Sequence, residues 1–168
     1  MPPAALPPCG VYRTKAAVAG IEAGRLVYFH NHGDPGPGLY PPESWAHNRA
    51  RFSERGQTVP ADFDPASLEP LPPEGFYRVT KDFFCCEKKC AKFETDMFVQ
   101  LGFNGAGRAL VFVPQLGTAG LAIPDRGSIV DDNTLKNLVP LKVSQTTGEQ
   151  KSGEPAINIS LPRGFNIH

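Results

Sequence analysis

The chain has 168 residues, enough for one domain with a proper hydrophobic core but not comfortably for two. Its 17 Lys and Arg residues are balanced by 17 Asp and Glu residues, so the net charge is zero. Because nucleic acids and anionic membranes are bound by clustered cations, we expect neither as a partner.

The beginning of the chain carries prolines at positions 2, 3, 7 and 8 and lacks the charged and apolar regions of a secretory signal peptide. No apolar run approaches the roughly 20 residues that a membrane span requires. We therefore expect a cytoplasmic protein with reduced thiols, situated within a large particle or machine.

Proline is concentrated in the first half of the chain, where 13 of the 18 prolines precede Glu74. Residues 1–24 are expected to form an extended N-terminal arm, with a polyproline-like beginning. Arg25–His30 is predicted to be a strand that runs into a loop rich in glycine and proline. Residues 57–73 contain five more prolines and indicate a loop that wraps against the domain.

One helix is predicted in the first half, at residues 43–55. Pro41 and Pro42 suit the start of a helix, and Gly56 is placed for its C-terminal cap. Three side chains fall at helical spacing within it: Trp45, Arg49 and Phe52.

Residues 74–113 lack proline, and their apolar residues recur with a period of two. This period is typical of half-buried strands and predicts a three-stranded antiparallel meander. Val99 and Leu101 share one face of the second strand, and Gln100 lies on the other. Residues 104–107, Asn-Gly-Ala-Gly, tolerate the positive φ angles of a tight hairpin connection. We expect this meander to be the stability core, with Val99 and Leu101 deeply buried.

Shorter elements are predicted after the meander: strands at 120–123 and 128–130, a helical turn at 133–138 and a last strand at 139–143. This order of meander, helical turn and closing strand resembles a small SH3-like barrel over residues 76–143. The expected fold class is therefore mainly β: an SH3-like antiparallel barrel with one short helix and extended proline-rich arms at both termini. Its single domain would span residues 25–143.

Two histidines, His30 and His32, are expected on the same side of a strand end. Such imidazoles either bond to loop carbonyls or bind a metal ion, and both interpretations stay open. Cys90 with one of these histidines and Asp34 would supply a nucleophile, a base and an orienting group. Nothing in the spacing requires that arrangement, so no catalytic residue is assigned.

Cys85, Cys86 and Cys90 form the more specific chemical signal. If residues 86–90 make one helical turn, Cys86 and Cys90 stand at positions i and i+4, close enough to share a zinc ion or a disulfide. Lys88 and Lys89 would lower the thiol pKa values if they lie nearby. The alternative is that Cys85 is a small core hydrophobe and that the other two thiols are inert.

The predicted cofactor is either none or a single structural zinc, since thiolates suit zinc and no acidic cluster favours magnesium or calcium. Cys9 is a further possible ligand. The predicted metal ligands are Cys86, Cys90, His30 and His32.

The C-terminal part, residues 144–168, is predicted to be a polar linker followed by a docking peptide at 155–167. In an extended chain its alternation places apolar side chains on one face, which suits addition of a strand to an open sheet edge. Closure of the chain's own barrel is the alternative. The predicted partner-binding residues are Ile157, Ile159, Leu161, Phe165 and Ile167.

Two functions from different classes are compatible with this sequence. The first is a non-enzymatic structural or adaptor subunit of a larger protein assembly, which binds neighbouring protein subunits through extended arms. The second is a small zinc- or thiol-dependent enzyme that uses the His30/His32 loop and the Cys85–Cys90 bend.

Overall fold

The computed structural model describes residues 5–33, 35–141, 143–146 and 156–159. These residues form two compact units. The first groups the described residues of Met1–Glu74 with Gly102–Leu110, and the second groups Gly75–Leu101 with those of Val111–His168. The predicted single domain at residues 25–143 stays a prediction.

The described residues are mainly β, with short 3₁₀ helices at Pro65–Ser67 and Asp132–Asn137. No helix among them is long and apolar enough to cross a membrane. The strands are β1 Gly10–Thr14, β2 Leu26–His30, β3 Gly38–Tyr40, β4 Pro42–Ala46, β5 Arg49–Phe52, β6 Gln57–Thr58, β7 Leu68–Pro70, β8 Gly75–Val79, β9 Phe83–Phe84, β10 Lys92–Phe93, β11 Phe98–Phe103, β12 Ala109–Phe112, β13 Gln115–Gly117, β14 Gly120–Ala122, β15 Ser128–Ile129, β16 Leu138–Pro140, β17 Val143–Thr146 and β18 Ala156–Ile159.

The first unit contains a five-stranded sheet in the order β6-β3-β2-β1-β7. Alternation in β1 and β2 buries one set of side chains, because successive residues of a strand point to opposite faces. The buried apolar cluster is Tyr12, Val27, Phe29, Leu39 and Leu68. Since β1 pairs with both β2 and β7, part of the segment predicted as an N-terminal arm belongs to this sheet.

The predicted helix at 43–55 is wrong, because these residues form the β4–β5 hairpin. His47 and Asn48 make its two-residue loop with φ angles of 52° and 64°, the positive values that such a tight turn requires. Trp45 and Phe52 also favour strand. In the hairpin Trp45 lies opposite Ala50 and Ala46 opposite Arg49, so Trp45 and Arg49 point to different faces and the helical spacing was a coincidence. Trp45 Nε1 donates to the carbonyl of Phe103 at 2.9 Å, which fixes the hairpin within the first unit.

The second five-stranded sheet has the order β15-β12-β11-β8-β16, and the predicted meander corresponds to β8, β11 and β12. All six residues of β11 are buried, with Val99 and Leu101 at 0% exposure. Gln100, predicted on the opposite face, is also buried, so β11 is enclosed on both faces rather than half-buried. The first predicted strand is interrupted after Val79 and resumes as β9, which pairs with β10.

The predicted closed barrel is not found. In the described part of the chain each five-stranded sheet is open, with β6 and β7 at the edges of one and β15 and β16 at the edges of the other. Closure would need hydrogen bonds between the two edge strands of one sheet. The smaller predictions near the C-terminus are confirmed in part, since β14, β15, the second 3₁₀ helix and β16 lie close to their predicted positions.

Truncation of Leu101 to Ala is expected to lower the free energy of unfolding by about 2–5 kcal/mol, because a fully buried side chain is lost and a cavity is left. Leu121→Ala is the matched control: Leu121 is 46% exposed, so the same truncation should cost less than about 0.5 kcal/mol. Urea unfolding measures both. A Leu101→Ala variant that unfolds at the parent's midpoint would contradict the register of β11.

Candidate metal centres

The first candidate centre is the bend between β9 and β10 in the second unit. The two strands pair in the register Phe83↔Phe93 and Phe84↔Lys92, which brings both ends of the intervening segment together. The chain reverses in a turn closed by a hydrogen bond from Lys89 N to Cys86 O at 3.0 Å, with Lys89 at a φ of 54°. The predicted helical turn at 86–90 is therefore wrong, because the paired strands impose a tight reversal.

The thiols of Cys85, Cys86 and Cys90 nevertheless lie within 4.8 Å of one another. The Cys85 and Cys86 sulfur atoms are 3.5 Å apart, and Ala91 N donates to the Cys85 sulfur at 3.3 Å. Two sulfur ligands of a tetrahedral zinc ion, with bonds of about 2.3 Å, lie about 3.8 Å apart. One pair of thiols thus has nearly the spacing of zinc ligands, and the third sulfur lies within 4.8 Å of both.

Hydrogen bonding and charge give the thiols of Cys86 and Cys90 different pKa values. A hydrogen bond from the Cys85 thiol, followed by bonds from backbone N–H groups including that of Lys88, lowers the pKa of Cys86. The negative charge that Cys86 then carries raises the pKa of Cys90. The predicted effect of lysine charge is not the cause: Lys88 acts through its backbone, and the Lys89 ammonium lies 5.2 Å from the centre of the Phe84 ring.

The second candidate centre lies in the first unit, where β1 and β2 pair in antiparallel register. Gly10 is opposite Phe29, so the next position outward along this ladder places Cys9 opposite His30. Residues that face each other across two strands have Cβ atoms about 4.5–5.5 Å apart. His32 follows two residues later, and its ring centre lies 5.7 Å from that of His30. Strand register, rather than any local motif, therefore assembles this group.

The ligand atoms of Cys9, His30 and His32 lie within 4.8 Å of one another. The Cys9 sulfur is 3.6 Å from His32 Nδ1. Cys9 and His30 are half-buried, His32 is exposed, and the other side of the His30 ring packs against Tyr28 and Tyr40. His32 bonds to the side chain of Asn31 rather than to a loop carbonyl.

The structure divides the four predicted metal ligands between two groups. Cys86 and Cys90 meet in the second unit together with Cys85, and His30 and His32 meet in the first unit together with Cys9. Cys85 and Cys9, which the sequence offered as further possible ligands beside the four assigned ones, belong to one group each. The position of Cys9 just before β1 could have indicated it as a ligand. That inference needs β1 and β2 to be recognised as neighbouring strands, because only their pairing brings Cys9 to His30.

The predicted partner-binding residues lie in the C-terminal segment. Ile157 and Ile159 belong to β18, which pairs with β17 in the register Val143↔Ile159 to Thr146↔Ala156. The remaining predicted contacts lie outside the described residues: Leu161, Phe165 and Ile167.

A cavity of about 610 Å³ lies beside the Cys9 group, within the first unit. Cys9, Tyr28, Arg49 and Glu74 are among the residues that line it. Burial raises the pKa of the Glu74 carboxyl, although Ala50 N donates to it at 3.0 Å. The cavity therefore contains a carboxyl group that holds its proton to higher pH than usual.

Three comparisons with known proteins were negative: no protein-family model, no curated protein and no solved structure matches this chain. Function must therefore be inferred from the geometry of the chain itself.

In the reduced, metal-free chain, Cys86 is expected to react with iodoacetamide at lower pH than Cys90. The pKa of Cys86 is lowered and that of Cys90 is raised, so below the usual thiol pKa there is a range in which only Cys86 is a thiolate. Cys85→Ala should shift the Cys86 profile to higher pH, because it removes the main hydrogen-bond donor. Peptide mass spectrometry measures the alkylation of each cysteine separately at each pH. Identical pH profiles for Cys86 and Cys90 would contradict the proposed hydrogen bonding.

Proposed function

We propose that this chain is a non-enzymatic structural or adaptor subunit of a larger protein assembly, which binds neighbouring protein subunits by strand addition through its C-terminal segment, 155–167. The observation that carries the proposal is the pairing of β18. Among the described residues β18 pairs only with β17, in a two-stranded sheet. Isolated two-stranded sheets are only marginally stable in water, so this pairing exchanges readily for a place at a larger sheet edge.

Open edges of the required kind exist in the described part of the chain. β15 and β16 form the two edges of the second five-stranded sheet within the described residues. Each edge strand carries an exposed apolar side chain, Ile129 at 47% and Val139 at 36%. Unpaired backbone groups beside apolar side chains are the surface to which a further strand adds. Localisation within a large cytoplasmic particle belongs to the same proposal.

A chain that ends at residue 153 is expected to stay soluble and folded, and to bind a synthetic peptide of residues 154–168 in trans. The reason is that the peptide gains ladder hydrogen bonds that it cannot form alone. Fluorescence anisotropy measures the binding, and amide hydrogen exchange identifies the strand that becomes protected.

Matched peptide variants test the face that docks. Ile159→Lys should abolish binding, because it places a charge on the apolar face, whereas Asn158→Lys should bind as the parent does. The proposal is wrong if the shortened chain loses its cooperative unfolding transition, because the tail would then be part of the core. It is equally wrong if the peptide does not bind.

We further propose that the structural zinc predicted for this subunit is held by Cys85, Cys86 and Cys90. Their sulfur spacing and the lowered pKa of Cys86 support this, because zinc binds thiolates and must displace their protons. Such an ion would fix the β9–β10 bend.

Zinc is expected to raise the melting temperature of Cys9→Ser, and to have much less effect on the double variant Cys9→Ser/Cys90→Ser. Zinc bound to the folded state alone stabilises it by mass action. Calorimetry with zinc and with a chelator provides the measurement. An equal zinc-induced shift in Cys9→Ser and in the double variant would rule out this thiol site.

The second candidate function is a small zinc- or thiol-dependent enzyme that uses the His30/His32 loop and the Cys85–Cys90 bend. The observation that favours it is the cavity lined by Cys9 and Glu74, since carboxyl groups with raised pKa values in clefts often transfer protons. An enzyme of this kind should show catalytic turnover that Glu74→Gln loses while it retains the parent's fold. Such a loss would distinguish this function from a structural role.

A further inference from the structure

We propose that Cys9, His30 and His32 form a second metal site, which binds a divalent cation of the zinc class independently of the Cys85–Cys90 bend. This inference does not rest on the adaptor function proposed above. It concerns the first unit alone.

Distance is the first argument. A tetrahedral zinc ion with a sulfur bond of about 2.3 Å and a nitrogen bond of about 2.0 Å holds these two atoms about 3.5 Å apart. The Cys9 sulfur and His32 Nδ1 are 3.6 Å apart, and a ligand atom of His30 lies within 4.8 Å of both. A cation at this place therefore requires only small side-chain rotations.

The hydrogen bonds of Asn31 give the second argument. Its Nδ2 donates to Pro7 O at 3.3 Å, which orients the amide so that Oδ1 faces the group. Oδ1 then accepts from the Cys9 thiol at 3.2 Å and lies 2.9 Å from His32 Nδ1. An amide oxygen can only accept, so the Nδ1–H tautomer of His32 donates to it, whereas in the Nε2–H tautomer Nδ1 can accept from the Cys9 thiol.

Three polar atoms thus converge at one place: the Cys9 sulfur, His32 Nδ1 and Asn31 Oδ1. A metal ion at this place displaces the thiol proton of Cys9 and binds the neutral His32 ring at Nδ1, with the ring proton on Nε2.

The type of cation follows from the ligands. One thiolate and two imidazoles suit zinc and its neighbours in the d-block, whereas magnesium and calcium require several oxygen ligands. Three protein ligands leave the fourth tetrahedral position to water or to Asn31 Oδ1. A coordination position of this kind is typical of zinc sites that bind an exchangeable ligand.

Cobalt(II) is a suitable probe, because its visible spectrum reports tetrahedral coordination and thiolate ligation. The full-length chain is reduced, freed of metal with a chelator and titrated with cobalt and then with zinc. His32→Asn is the test variant, because His32 is exposed and its replacement should leave the fold intact. His47→Asn is the matched control, since this exposed histidine lies in the β4–β5 turn, where asparagine tolerates positive φ.

The parent and His47→Asn are expected to bind one more cobalt ion than His32→Asn, or to bind it more than about 100-fold more tightly, which exceeds the usual effect of an outer-sphere partner. Cys9→Ser should remove the thiolate-to-cobalt absorption of this site, and Cys90→Ser should leave it unchanged. The proposal is overturned if His32→Asn binds cobalt with the parent's stoichiometry and affinity. It is also overturned if Cys9→Ser is folded by circular dichroism and has the parent's spectrum.

Discussion

Pairing of backbone N–H groups in β-ladders is the constraint on which the rest of this structure depends. Proline cannot donate to a ladder, and the chain contains 18 prolines. In the described strands proline appears only as a terminal residue: Pro42 begins β4, Pro70 ends β7 and Pro140 ends β16. β7 and β16 are edge strands, and β4 belongs to a two-stranded sheet, so no central ladder loses a donor.

The same constraint determines where chemistry can be placed. The interior of β11 is entirely buried, whereas both groups of candidate ligands lie at strand ends and turns. The three thiols at residues 85–90 lie close together because β9 and β10 force a tight reversal between them. Cys9 and His30 meet because they continue the β1–β2 register beyond its last hydrogen-bonded pair. Both candidate centres are thus consequences of strand pairing.

Open ladders link the fold to the proposed adaptor function. Sheets that do not close keep unpaired N–H and C=O groups at their edges, and proteins usually protect such edges against association. Here Pro140 shortens the ladder of one edge strand, yet Val139 beside it stays exposed. An edge of this kind is limited in length but still open to a further strand, which is the combination that selective docking requires.

The sequence by itself determined those structural elements that depend only on residues close together in the chain. Alternation predicted the meander and the burial of Val99 and Leu101, because strand periodicity is written in successive residues. It misassigned residues 43–55, where three side chains stand at helical spacing but the positive φ angles of His47 and Asn48 turn the chain back into a hairpin. Which strands become neighbours depends on packing across distant segments, so the open sheets, the two units and the meeting of Cys9 with His30 were decided by the tertiary structure alone.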